Sequence, residues 1–217
     1  MITNTVDVIH ICLLKKHLCI DVIFIILNFF CIDISDANIH EAVQLYESDQ
    51  PEAILKYGLI DFWKTNKVTN MSKLFQYSNM NLNINLWDLS NVKNMFLSAR
   101  LFNQSLDKWD VSNVQDMSSM FAYTQSFNRP LDKWNTSNVV DMSKMFKCSQ
   151  SFNQPLDKWN TSNMTDMNEM FAYTKSFNQP LDKWNTSNVV DMSKMFKYSQ
   201  SFNQPLDKLN TSNVINH

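Results

Sequence analysis

The chain has 217 residues, with 19 Lys and Arg against 21 Asp and Glu, a formal charge of -2. That near-balance lacks the basic surplus that phosphate contacts need, so nucleic acid is not an expected partner. A single glycine, Gly58, excludes the P-loop, the dinucleotide G-x-G-x-x-G, the hydrolase G-x-S-x-G and the EF-hand, each of which needs a glycine-bearing turn.

Residues 1–34 differ in composition from all that follows. Lys15, Lys16 and His17 precede an apolar run over 18–32 that is interrupted by Asp21 and Asn28. A run of this length suits a signal-peptide core better than a full membrane span of about 20 residues. Ser35-Asp-Ala37 supplies small residues for a cleavage site, whereas the late basic pair and the internal acid argue against one. Three readings stay open: a signal peptide, a membrane anchor, or an apolar extension that packs on the next segment or reflects a mistaken upstream start. Membrane contact through residues 18–32 is open with them. Cys12, Cys19 and Cys31 lie in this stretch, form no C-x-x-C with one another or with Cys148, and read as small buried or lipid-facing residues.

Residues 35–62 are expected to form a helical cap. Asn38 and Glu41 make an N-x-x-E start, and Ala42, Val43, Leu45 and Tyr46 supply an apolar face, so one amphipathic helix or two short ones should cover 38–57 and end at Gly58. Such a cap would cover the apolar end of whatever follows.

From Trp63 to the C-terminus the chain repeats. Trp109, Trp134, Trp159 and Trp184 are spaced by 25, Leu209 continues the series, and Trp63 and Trp87 head two irregular first units. Residues 63–217 therefore hold six roughly 25-residue units and a truncated seventh. The unit from Trp134 to Lys158 recurs from Trp184 to Lys208 with one change, Cys148 to Tyr198, so Cys148 fills a tyrosine slot and is neither nucleophile nor ligand. Each unit places apolar residues at positions such as Val139, Met142, Met145, Phe146, Phe152, Leu156 and Trp159. One unit cannot bury seven large side chains alone, but a stack can. The i, i+3, i+4 spacing over Met142–Phe146 predicts a short helical turn, and Pro155–Asn160 an extended strand.

There are 27 Asn, recurring in S-N-V (Asn113, Asn138, Asn163, Asn188) and S-F-N (Asn128, Asn153, Asn178, Asn203). They read as internal turn ladders that make up for the missing glycines: asparagine tolerates left-handed backbone better than other non-glycine residues, and its amide can satisfy the turn or its stacked neighbour. Two aspartate rows, at 116, 141, 166 and 191 and at 132, 157, 182 and 207, raise the question of a bound cation. The second row is followed directly by Lys133, Lys158, Lys183 and Lys208, and the segment Trp109–Lys208 is charge-balanced, so a solvated surface is the expectation. The four histidines are His10, His17, His40 and His217, which leaves most of the chain without material for histidine catalysis or histidine-bound zinc. Sequons such as Asn135-Thr-Ser arise from the repeat itself and matter only if the chain enters a secretory lumen.

The phrases N-V-x-D-M-S-x-M-F, S-F-N-Q-P-L-D-K-W and W-N-T-S-N-V resemble the repeat of BspA-like leucine-rich-repeat-type surface proteins, found in the mycoplasma-type repeat family of unknown function. The resemblance covers about Trp63 to Val214, and the segment from Ile39 to Trp63 also looks like the leader of such arrays. It implies a right-handed solenoid with short parallel strands, and surface display or adhesion in bacterial members. The shortened first units, Leu209 in place of Trp, and the stop at His217 depart from the pattern.

The expected fold is thus an α/β repeat solenoid, leucine-rich-repeat-like, with short parallel strands, short helical turns and an N-terminal helical cap. The expected function is non-enzymatic: an extended surface that binds a protein or other macromolecule by multipoint contact through Lys, Gln, Ser, Thr and Tyr side chains. Surface, secreted or membrane-associated placement is favoured over a cytoplasmic one, with an intracellular scaffold as the alternative and a carboxylate-based hydrolase as a remote one. No catalytic, cofactor-binding or metal-binding residue is assigned.

Overall fold

A computed structural model describes residues 32–89 and 92–215. The apolar run and three of the cysteines therefore lie almost wholly outside the described residues. Helix α1 spans Ile39–Ser48 and helix α2 spans Gln50–Tyr57, followed by a single 3-10 turn at Ile60–Phe62. Two helices form because Asp49 leaves helical geometry (φ -146, ψ 81) and its carboxylate restarts the chain by accepting from the Glu52 N–H at 3.2 Å. Pro51 in the first turn of α2 needs no backbone partner there. Gly58 ends α2 at φ 80, a conformation that favours glycine.

The expected N-x-x-E start is used differently. Asn38 makes no cap bond; its amide oxygen accepts from the Ser35 N–H at 2.9 Å. Glu41 instead receives Lys56 at 2.6 Å and the Tyr57 hydroxyl at 3.0 Å, tying α1 to α2 and holding the carboxyl below its ordinary range. The buried face of α1 is Ile39, Ala42, Val43 and Tyr46, one stripe at helical spacing. It meets the repeat region at Trp63, against which Tyr46 and Tyr57 pack edge-on at 5.9 and 6.1 Å. Residues 33–36 are tied to the same coil, through Asp33 to Lys67 at 2.9 Å and Asp36 to the Thr69 N–H at 2.7 Å.

Beyond Trp63 the units stack as coils in register. Phe75, Phe96, Phe121, Phe146, Phe171 and Phe196 form one column, with successive ring centroids 5.4 to 5.8 Å apart. Phe102, Phe127, Phe152, Phe177 and Phe202 form a second column at 5.9 to 6.1 Å, each ring lying about 4 Å from its neighbour in the first. Trp109, Trp134 and Trp159 stack at 6.3 Å, and each indole N–H donates to a carbonyl of the preceding coil, for example Trp134 to Leu106 at 3.0 Å. All seven apolar positions named for the Trp134 unit are buried. Each buried Val, Leu, Met or Phe side chain contributes about 1.5–3 kcal/mol.

The backbone does not form the expected α/β solenoid. The described residues contain two short α-helices and no β-strand; the β-type pairing between coils is confined to isolated parallel bridges, Asp116 to Asp141, Asp141 to Asp166 and Asp166 to Asp191. The reason lies in alternating hydrogen bonds. The N–H groups of Met142, Lys144, Phe146 and Cys148 donate to Asp166, Asn168, Met170 and Ala172 of the next coil. Those of Met145, Lys147 and Ser149 instead close turns onto the residue three back. Lys144 (φ 59) and Cys148 (φ 58) are left-handed, which breaks both the helix expected over Met142–Phe146 and any strand. The segment Pro155–Asn160 is likewise a turn, closed by Trp159 N–H to Leu156 at 3.1 Å, not an extended strand.

Candidate functional site

The repeating turn carries one position outward in every coil. Tyr77, Ser98, Tyr123, Cys148, Tyr173 and Tyr198 occupy it, and all six have positive φ, from 54 to 64. Their stacking follows from the ladder itself: Tyr123 N–H donates to Lys147 at 2.7 Å and Tyr173 N–H to Lys197 at 2.7 Å. The residue two before each is a phenylalanine of the first column and the residue after is a small side chain such as Thr124 or Ser149, both buried except at the Tyr198 turn, where Phe196 and Ser199 are partly exposed. The tyrosine is therefore the part of the turn that solvent sees: Tyr77 and Tyr198 are 70% and 69% exposed, Tyr123 and Tyr173 46% and 38%. Tyr173 and Tyr198 lie 5.2 Å apart with planes at 40°, and Lys197 sits 5.3 Å over the Tyr198 ring.

The asparagines make ladders by satisfying the stacked neighbour, and none of the recurring ones is itself left-handed. Asn138, Asn163 and Asn188 each donate to a serine carbonyl of the preceding coil at 2.6 to 2.7 Å. The side-chain oxygens of Asn128, Asn153 and Asn178 accept the backbone N–H of the same residue one coil on, at 2.9 to 3.0 Å. Among the described residues, Asn94 is the one asparagine with a left-handed backbone; the other non-glycine residues there are Lys, Tyr, Ser, Glu and Cys.

The first aspartate row is engaged structurally, and so is the second through Asp182, with Asp107 joining it; Asp207 is exposed and has no ion pair among the described residues. Asp116, Asp141, Asp166 and Asp191 each accept the N–H two residues on at 2.8 Å. Asp107, Asp132, Asp157 and Asp182 pair with the lysine of the next coil at 2.7 to 3.7 Å, not with the adjacent one. Hydrogen bonding to Lys158 and Lys183 holds the Asp132 and Asp157 carboxyls below their ordinary range. Asp166 behaves oppositely: burial, then the flanking Asp141 and Asp191 charges, push its carboxyl up against the Asn168 N–H. Among the described residues no group of three or more His, Cys, Asp or Glu is placed to hold a metal ion. Burial also raises the Cys148 thiol, which leaves it a poor nucleophile. Among the described residues no helix is long and apolar enough to cross a membrane.

Residues 50–150 and 129–217 match the family model described as "Mycoplasma protein of unknown function, DUF285". The chain belongs to this family. The DUF285 match spans the whole stack of coils and reaches back into α2. No curated protein and no solved structure is significantly similar to the chain.

In this DUF285 chain the left-handed turn carries Lys, Gln, Ser, Thr and Tyr residues of the repeat. The segregation of charge onto that turn escaped the sequence reading, which balanced charges along the array. Sorting residues by their place within the unit is the signal that finds it.

Proposed function

We propose that this is a non-enzymatic repeat protein whose stacked coils present the tyrosine-bearing turn as an extended surface for a macromolecule, in a surface-display setting like that of BspA-like proteins. One observation carries the reading: four tyrosines stand outward at the same position of different coils, each in a left-handed backbone that costs about 1 kcal/mol or more for a non-glycine residue. Buried packing alone gives no reason for an exposed phenol there, since Ser98 fills the same turn. Contacts of this kind are individually weak and add along the array.

The test is a series in which Tyr77, Tyr123, Tyr173 and Tyr198 are changed to serine singly and together, with adhesion of protein-coated beads to epithelial cells as the readout. A surface of repeated contacts loses adhesion in steps as tyrosines are removed. Abolition by one substitution with no effect of the other three, or no adhesion by the unaltered chain, contradicts the proposal.

A further inference from the structure

Charge is divided sharply between the turn face and the rest of the molecule. The eight-residue turn segments at 72–79, 93–100, 118–125, 143–150, 168–175 and 193–200 contain eight Lys and Arg and one acid, Glu169. That leaves 11 of the 19 basic residues and 20 of the 21 acidic ones for everything else. Lys93 is paired with Asp116 at 3.0 Å and Lys147 with Glu169 at 2.8 Å. Lys73, Arg100, Lys175, Lys194 and Lys197 are exposed and have no carboxylate within ion-pair distance among the described residues. Even with the bordering aspartates at 116, 141, 166 and 191 counted, the face keeps a positive surplus. An otherwise acidic chain thus carries a basic edge studded with tyrosines.

Resting on the reading of the turn as a binding face, we infer that its occupant is an acidic polysaccharide lying along the stack. Charge complementarity selects a polyanion. The tyrosines decide which kind. A base stacked between neighbouring rings needs about 7 Å, twice the ~3.4 Å rise of stacked bases, whereas Tyr173 and Tyr198 are 5.2 Å apart. That adjacent pair leaves no slot for a base between its rings. Phenol hydroxyls, the exposed amides of Gln125 and Gln200, and unpaired ammonium groups instead match a chain of hydroxyls and regularly spaced carboxylates or sulfates. Coils follow one another at about the spacing of hydrogen-bonded strands, roughly 5 Å, so each coil meets a length of polymer comparable to one sugar.

The experiment uses the full chain and measures retention on immobilised dextran sulfate, polygalacturonate and neutral dextran, with an oligodeoxythymidylate as competitor, across a salt series. Lys175→Glu with Lys194→Glu alters the edge. Lys133→Glu with Lys158→Glu makes the same charge change on the aspartate–lysine ladder. Retention on both acidic glycans and not on neutral dextran is expected, falling with salt. The edge variant should lose about tenfold or more and the ladder variant less than about twofold. Equal loss in both variants, no retention of the unaltered chain, or tighter binding of the oligonucleotide overturns the inference. If the glycans fail while the tyrosine series still lowers cell adhesion in steps, this inference falls and the proposed function stands.

Discussion

Replacing Phe146 with alanine removes the ring at the middle of the first phenylalanine column. Phe146 is fully buried and has four aromatic neighbours: Phe121 at 5.8 Å, Phe171 at 5.7 Å, Phe152 at 4.0 Å and Trp159 at 6.3 Å. Phe121 and Phe171 belong to the units on either side, so the cavity opens at both interfaces. A buried Phe→Ala change costs about 3–5 kcal/mol, a large part of the 5–15 kcal/mol that holds a domain folded. Phe196 is the same residue in the last complete coil; among the described residues its aromatic neighbours are Phe171 at 5.6 Å and Phe202 at 4.0 Å, and it is partly exposed. Its loss should cost about 2 kcal/mol. Urea unfolding followed by tryptophan fluorescence, analysed by linear extrapolation, measures both. In a stack governed by nearest neighbours, Phe146→Ala exceeds Phe196→Ala by a factor of about two. Equal losses, or a Phe146→Ala loss below about 1 kcal/mol, would refute the reasoning.

Three further outcomes follow from particular residues. Thr136 is buried and its hydroxyl donates to the Asn160 carbonyl at 2.9 Å, so the isosteric Thr136→Val should lose about 1–3 kcal/mol in the same urea assay. Ser119 has φ 55, so Ser119→Val should lower the thermal midpoint while Ser119→Gly holds or raises it. Asp166 has a raised carboxyl, so its ionisation opposes folding at neutral pH; the contribution is favourable below the unfolded-state value and lost as pH rises through the folded one. Asp166→Asn, which keeps an acceptor for the Asn168 N–H, should therefore stabilise the chain at pH 7 and lose that advantage near pH 3; pH-dependent urea melts against the parent show a constant difference if the idea is wrong.

Register and core were readable because both depend only on which side chains recur. The tryptophan spacing of 25, the phenylalanine columns and the helix stop at Gly58 all appear where the pattern puts them. Backbone conformation was not readable. Met142, Met145 and Phe146 are buried together at a spacing that suits a helix equally well, and the left-handed residues between and after them, Lys144 and Cys148, carry none of the glycine or asparagine signature by which such positions are recognised. Their conformation is set by the next coil, whose carbonyls at Asn168 and Ala172 take those N–H groups. The tyrosine-bearing turn was half legible for the same reason: tyrosine in a repeated slot is visible in one dimension, whereas the gathering of Lys73, Arg100, Lys175 and Lys194 on one edge needs the stack. Cys148, as its slot suggested, sits in the tyrosine column.

Amide hydrogen exchange, read residue by residue by NMR, tests the stacking most directly. The N–H groups of Lys144, Phe146 and Cys148 bridge to the next coil, while their counterparts at Lys194, Phe196 and Tyr198 meet no acceptor among the described residues. Slow exchange at the first three and fast exchange at the last three is the predicted result. Equal rates at the two sets would mean that the coils are not joined by this ladder, and the turn face built on it would not exist.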